Sequence, residues 1–310
     1  MDFLINWISN TPGFAVPYAL AALGLIVTEK SGVLSLGAEG FMLMGAMAGV
    51  GAVIVFGGQP MLSLLVGAMA AAVVSLLFAL LVVGMRVNQV IAGLAIVFLC
   101  QGLTSLIAAQ QGWTSRAIVG LGALPIWPLS GIPVIGRIFF RHDIVVYLTV
   151  PIFFAVNWVL TRTEVGLRLR AVGENPEAAD SVGINVSLYR LCAIVVGSAF
   201  VGLAGAYLSV AVAKIWVDGM VGGRGWIAIA LVIFARWYPW RALLGAILFG
   251  CIEALIPRVA AIGVQVPQYF VLMTPYLATL IVMVWATVST VARSNEPGAL
   301  GRPHVREERR

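Results

Sequence analysis

Polar and glycine-rich punctuation divides the chain into nine apolar stretches, at roughly 13–28, 33–56, 60–85, 89–109, 144–161, 191–213, 225–236, 241–257 and 268–291. A helix needs ~20 apolar residues to cross a hydrocarbon core of about 30 Å. The seventh stretch is too short for that as a regular helix, and it follows a break containing Gly219, Gly222, Gly223, Arg224 and Gly225. The second is entered through Ser31, Gly32, Ser35, Gly37, Glu39 and Gly40, an unusually polar start. Non-helical backbone at membrane depth survives only when it is packed in protein or lines a cavity. The pattern therefore predicts an all-α polytopic membrane protein with broken or re-entrant elements near 31–40 and 219–226.

Composition agrees and narrows the choice. Of the 310 residues, 61% are apolar and 10% are charged, and the mean hydropathy is +1.02. An average soluble domain carries roughly 25% charged residues, so a soluble enzyme, a secreted module and a disordered chain are excluded. The net charge of +6 is read as a topology signal rather than as a nucleic-acid footprint. Cys100, Cys192 and Cys251 each sit in an apolar run without a CxxC partner, which argues against disulfides and zinc. No Lys or Arg precedes Lys30, so the first span lacks the basic flank of a cleavable signal and is expected to remain.

Nine crossings put the two ends on opposite sides. With the C-terminus in the cytoplasm, six basic residues lie outside (Arg116, Arg137, Arg141, Lys214, Arg224 and Arg258) and the other basic residues inside, as the positive-inside rule prefers. One transmembrane domain thus spans 1–292, with 110–143 as its external loop and 162–190 as a cytoplasmic loop. The segment 293–310 is a basic cytoplasmic tail expected to be disordered and able to touch anionic headgroups. In the external loop, Pro125, Pro128 and Pro133 forbid a regular helix, while Trp113, Trp127, Phe139 and Phe140 suit an interface or a docking surface.

Catalytic signals are missing: there is no HExxH, no GxSxG, no triad and no phosphate-binding GxxxxGK[ST]. No catalytic or metal-ligating residue is expected, and energy from ATP would have to enter through another subunit. The most informative segment is Gly173, Glu174, Asn175, Pro176, Glu177, Ala178, Ala179 and, slightly further on, Gly183. Asn175 is a good N-cap, Pro176 fits the first helical position, Glu177 suits the positive helix start, and Gly183 can end the helix. About two turns of helix are not stable alone in water. Such a helix needs a surface; an ordinary capped turn is the plain alternative.

This glycine–alanine loop resembles the coupling helix of ABC-importer permeases. Together with Glu29–Gly40, Asn88–Ala95 and Gly223–Ala228, in that order, it makes the chain similar to the branched-chain amino acid/ribose/nucleoside permease family. Within that family the resemblance is to the nucleoside/simple-sugar branch that works with a basic-membrane-protein-type lipoprotein, and it covers nearly all of 12–290. The chain lacks the extra N-terminal span of ribose-type members, in keeping with an N-out topology. The resemblance implies a bacterial inner-membrane importer with a second, paralogous permease, a partner ATPase that binds ATP and Mg, and an extracytoplasmic substrate-binding lipoprotein. It also implies that the segment from Gly173 to Gly183 transmits closure of the ATPase to the spans.

Polar groups inside the spans are the candidates for the pathway, because each is costly when it faces lipid. They are Glu39, Asn88, Gln89, Gln101, Thr104, Arg224, Trp226 and Glu253. In the fourth stretch Gln89, Gly93, Cys100, Thr104 and Ala108 share one face at 100° per residue, with Gln101 beside it, while Ile91, Phe98, Leu99 and Leu106 point away. In the eighth, Glu253 shares a face with small residues, which turns it toward protein. Glu39 and Glu253 either bond a sugar hydroxyl or base edge, or tie a broken helix together through its backbone N–H groups. Asn88 and Gln89 suit structural or gating roles, and Gln101, lying deeper, suits a ligand. Gly45xxxGly49 and Ser198xxxGly202 read as packing faces.

The expected function is that of a permease subunit of an ATP-driven importer for nucleosides or a related small polar solute, with simple sugars as the alternative cargo. A free-standing secondary transporter or channel is the competing class. It predicts acidic or histidine relays, of which two buried acids and no intramembrane histidine give little sign.

Overall fold

The computed structural model of the protein describes residues 2–132, 134–261, 273, 277, 280, 281, 284 and 296–303. Among them, the membrane helices are α1 (Asp2–Glu29), α2 (Ala38–Val55), α3 (Pro60–Ala79) and α4 (Gln89–Gln110), all before the loop 110–143. That loop holds a two-stranded antiparallel ribbon, β1 (Leu124–Pro125) with β2 (Arg141–His142), and a short helix α5 (Ile135–Phe139). Then follow α6 (Ile144–Arg162), α7 (Glu164–Glu174), α8 (Pro176–Ser181), α9 (Val186–Tyr207), α10 (Arg224–Ala235) and α11 (Pro239–Ala261). Two helices continue in π-helical form, α3 through Leu80–Gly84 and α9 through Leu208–Ala213.

Seven helices among the described residues are long and apolar enough to span a membrane: α1, α2, α3, α4, α6, α9 and α11. The seventh apolar stretch is α10, whose 12 residues rise only about 18 Å. The ninth, 268–291, lies outside the described residues except for helical Met273, Leu277, Leu280, Ile281 and Val284, so nine crossings are not established. Helix α2 starts at Ala38 rather than near residue 33, because 31–37 is a turn and an extended segment.

The bundle has two distinct ends. Glu29, Asn88 and the α7–α8 hairpin mark the hairpin end, where the Trp237 indole N–H donates to the Glu29 carboxylate at 2.6 Å. At the loop end, residues 114–118 bond the chain after α9, with Ser115 N–H to the Trp216 carbonyl at 2.8 Å and Ile118 N–H to the Lys214 carbonyl at 3.1 Å.

Helices α1, α2 and α9 form the centre, and their apolar side chains are buried on nearly every face through much of their length. Outside them, α3, α4, α6 and α11 expose Met69, Phe98, Phe154 and Leu244 among many others, as lipid-facing helices do. Small residues set the central spacing. A Cβ on Gly45 would stand 2.1 Å from the Gly202 carbonyl oxygen, and one on Gly205 would stand 1.9 Å from that of Met42. The backbones touch, so dispersion contacts hold helices together where lipid offers no hydrophobic driving force. The packing faces expected at Gly45xxxGly49 and Ser198xxxGly202 are both present. The stripe on α4 is as expected too: Gln89, Cys100, Thr104 and Ala108 are buried, and Ile91, Phe98, Leu99 and Leu106 are exposed.

The described part of the tail departs from expectation, while 293–295 and 304–310 lie outside the described residues. Residues 296–303 are not a loose basic segment but a turn hydrogen-bonded to the hairpin end, with Ala299 buried. Its glycines and alanine let backbone meet backbone, which the charge of the surrounding tail conceals.

Candidate functional sites at two joints

The first joint lies deep in the bundle, where two half-helices begin. Helix α10 starts at Gly223, whose φ of +85° suits glycine and leaves the first N–H groups of the helix open. The Glu39 carboxylate, in the first turn of α2, closes them: Oε1 accepts from Gly223 N–H and Oε2 from Gly225 N–H, each at 2.8 Å. A Cβ on Gly225 would stand 2.5 Å from the Glu39 backbone, so the close approach depends on glycine. Two helix N-termini, each equivalent to roughly half a positive charge, therefore converge on one carboxylate.

Arg224 and Glu253 complete the joint. Arg224 Nε donates to Glu253 Oε1 at 3.1 Å, and a second guanidinium nitrogen, Nη2, pairs with the same oxygen. Arg224 Nη1 donates to the Met220 and Val221 carbonyls at 3.1 and 2.9 Å. The guanidinium thus fastens the glycine-rich turn before α10 to α11. Counted with the external connection in the sequence, Arg224 instead lies inside the bundle, because its turn dips into the protein. Trp226 follows, half-buried, in the first turn of α10.

The second joint is at the hairpin end. Thr163 caps α7, and Asn175 Oδ1 accepts from Ala178 N–H at 3.0 Å to cap α8, with Pro176 at the first helical position. Gly183 ends the turn with φ +84°. Ala179 is buried against Val172 and Val186, while Glu174, Asn175, Glu177, Ala178 and Gly183 are exposed. Ala179 therefore holds the hairpin together, and Ala178 with Val182, 74% exposed, belongs to the open face. The hairpin rests on the turn after α1: a Cβ on Gly173 would stand 2.2 Å from the Lys30 carbonyl oxygen. The tail straps both, with Ala299 N–H to Gly173 O at 2.9 Å, Gly301 N–H to Gly32 O at 3.1 Å and Gly298 N–H to Glu174 Oε2 at 3.2 Å. Arg190 Nη1 adds a bond to the Arg302 carbonyl at 3.2 Å. Burial at this joint pushes the Lys30 amine down to about 8, against a smaller opposing pull from Glu174.

Of the candidates for the pathway, the structure brings Glu39, Arg224, Trp226 and Glu253 together and leaves the others apart. Asn88 caps α4 by accepting from Val90 and Ile91 N–H. Gln89 Oε1 accepts from Leu34 N–H at 2.7 Å and so holds the segment before α2. Thr104 turns back on its own helix, donating to the Cys100 carbonyl at 2.7 Å. Gln101 is exposed near the middle of α4. Sequence reasoning passed over the Glu29–Trp237 bond and the Tyr207 hydroxyl, which donates to Asp143 Oδ2 at 2.6 Å. A charged residue bordering an apolar run signals that a partner exists, but nothing local names it.

The chain as a whole is similar to known proteins. Residues 7–286 match the family described as branched-chain amino acid transport system / permease component. The chain belongs to that permease family. It is the membrane-spanning permease subunit of an ABC importer. A protein of Haloferax volcanii provisionally named as a glucose ABC transporter permease is 37% identical over 99% of each chain. The guanosine ABC transporter permease protein of Bacillus subtilis is 34% identical, covering 96% of this chain and 95% of its own. A nucleoside ABC transporter permease protein of Lactococcus lactis subsp. cremoris is 32% identical, covering 89% and 90%.

Proposed function

We propose that this permease carries nucleosides, or a closely related small polar solute, into a bacterial cell through its inner membrane. The partner ATPase, which binds ATP and Mg, docks on the open face of α8; a second, paralogous permease completes the pathway and an extracytoplasmic lipoprotein delivers the solute. The observation that carries the coupling part is the hairpin itself. Its six-residue helix α8 is capped at both ends, anchored inward by Ala179, and exposes Glu177, Ala178 and Val182 with no cover from the described residues. The hairpin end also carries Lys30, Arg86, Arg162, Arg168 and Arg170, which supports placing it in the cytoplasm and the N-terminus outside.

Glu39, Arg224 and Glu253 serve as the joint of the half-helices, since their carboxylates and guanidinium are engaged by protein. Gln101 is the better solute-facing candidate on this reading. A glutamine exposed mid-span is costly against lipid, so its face is turned to the second permease or to the aqueous path. The nucleoside assignment takes its support from the Bacillus and Lactococcus relatives. The Haloferax relative favours a second reading, in which the cargo is a simple sugar.

The test is uptake by vesicles holding this permease with its partners, ATP on the ATPase side and the binding protein outside. ATP-dependent accumulation of labelled guanosine, lost in an Ala178→Asp variant that still folds, is the expected result. Accumulation of glucose instead moves the cargo to sugars, and entry without ATP or partners contradicts the coupling.

A further inference from the structure

A polar cavity of about 490 Å³ opens at the loop end, between the start of α1, the segment before α6 and the π-helical end of α9. Its wall carries three cations, Arg137, Arg141 and Lys214, and one carboxylate, Asp143. The carboxylate is already committed. Oδ1 caps α6 by accepting from Val145 and Val146 N–H at 2.9 and 3.2 Å, and Oδ2 accepts from the Tyr207 hydroxyl. None of the three cations has an ion-pair or hydrogen-bond partner for its side chain among the described residues. His142 adds no further carboxylate to the wall, and its Nε2–H donates to the Ile138 carbonyl at 2.7 Å. The cavity is therefore a concave site with an excess of unneutralised positive charge.

Backbone geometry points the same way. Lys214 terminates the π-helical segment with φ 56° and ψ 32°, a left-handed conformation that a residue with a Cβ adopts at a cost. The surroundings hold it there. Its carbonyl accepts from Ile118 N–H, and its side-chain stem passes so close to Gly120 that a Cβ there would stand 2.7 Å from Lys214 Cγ. π-helical insertions recur at functional sites, and here one ends on the lysine that lines the cavity.

Depth fixes the setting. Asn10, on the cavity wall, precedes Glu29 by 19 residues on α1, a rise of about 28 Å against a hydrocarbon core of about 30 Å. The cavity thus sits at headgroup level.

We propose that this cavity binds the anionic group of a phosphate ester, either a water-soluble phosphate compound or the headgroup of an anionic lipid. Arginine and lysine donors around a concave wall suit the several acceptor oxygens of a phosphate, and a neutral solute would leave the positive excess of three cations over one carboxylate to water alone. This site is separate from the joints described above and does not depend on the nature of the transported cargo.

The test uses the full chain in phosphatidylcholine nanodiscs. One arm measures binding of radiolabelled inorganic phosphate by equilibrium dialysis at constant ionic strength. The other measures, by native mass spectrometry, retention of phosphatidylglycerol over phosphatidylcholine from mixed nanodiscs. An Arg137→Gln/Arg141→Gln/Lys214→Gln variant is compared with the unmodified chain; Lys214→Gln alone serves if the triple variant does not fold, and Lys214→Arg is expected to retain binding. Saturable phosphate binding weakened roughly tenfold or more by the triple variant identifies a soluble phosphate compound. Selective phosphatidylglycerol retention that the variant loses identifies the lipid headgroup. Binding of neither probe, or binding unchanged in the variant, overturns the proposal.

Discussion

The two joints solve the same problem by opposite means. Both hold non-helical backbone against a helix that has to begin or turn there. The deep joint does so with ionised side chains: Glu39 across two N–H groups of α10, and Arg224 between its turn and Glu253. The hairpin joint relies mainly on glycines and backbone bonds, Gly173 on Lys30, Ala299 on Gly173 and Gly301 on Gly32, with Glu174 and Arg190 adding one side-chain bond each. The difference follows from water. An open N–H in the hydrocarbon region costs several kcal/mol, so the deep joint takes the strongest acceptor available, and low local polarity strengthens each bond it makes. At the hairpin end, nearer to water, an unmade backbone bond costs less than at membrane depth, so short backbone contacts suffice. A stiff joint inside and a compliant one at the hairpin would suit the coupling proposed above, in which movement enters at the hairpin and passes on through rigid spans.

The comparison is broken most severely at the deep joint. Glu39→Leu strands the Gly223 and Gly225 N–H groups, at about 1–3 kcal/mol each, and removes the charge facing the α10 dipole. The expected loss is about 3–6 kcal/mol, a large share of an ordinary stability of 5–15, read as a collapse in the yield of monodisperse protein in detergent. Glu39→Gln, which keeps one acceptor, is expected to fall between.

Glu253→Leu comes next. It leaves the half-buried Arg224 without its counter-charge, a change worth up to about 3 kcal/mol. The double variant Arg224→Met/Glu253→Leu is expected to recover much of that loss in a thermal unfolding series. A double variant as unstable as the single one would show that Arg224 matters through its bonds to Met220 and Val221 rather than through the pair.

At the hairpin joint the effects are smaller and depend on pH. Lys30 loses its proton near pH 8 in the folded chain and near 10.5 when unfolded. Between those values the unfolded chain binds more protons, so stability rises with pH. The residue is expected to add about 1–2 kcal/mol between pH 8 and 10, and Lys30→Met should flatten the slope measured by denaturant unfolding. Smallest is Ala299→Pro, which deletes the N–H that bonds Gly173. It is expected to cost about 0.5–1.5 kcal/mol, seen as faster proteolysis within 164–183 while the spans stay intact.

Much of this was legible in the sequence. The face of α4, the packing glycines and the capped helix at Asn175 each depend on residues within a few turns of one another, so periodicity and capping chemistry suffice to read them. The short α10 was legible from its length alone. What connects distant segments was not: Glu39 and Gly223 are separated by 184 positions, and nothing local distinguishes a carboxylate that caps a helix from one that holds a solute. Arg224 showed that it needed a partner without showing which acid supplies it. The tail strap was least visible, because Ala299 and Gly301 act through backbone groups that every residue shares.

The most direct measurement is amide hydrogen exchange on the assembled transporter in nanodiscs, with and without nucleotide on the ATPase. The amides of Gly223 and Gly225 should stay protected in both states, opening only with the whole bundle. Those of Ala299 and Gly301 should exchange faster and change their protection when nucleotide binds. Protected hairpin amides unaffected by nucleotide, together with fast exchange at Gly223 and Gly225, would contradict a stiff joint inside and a compliant one at the hairpin.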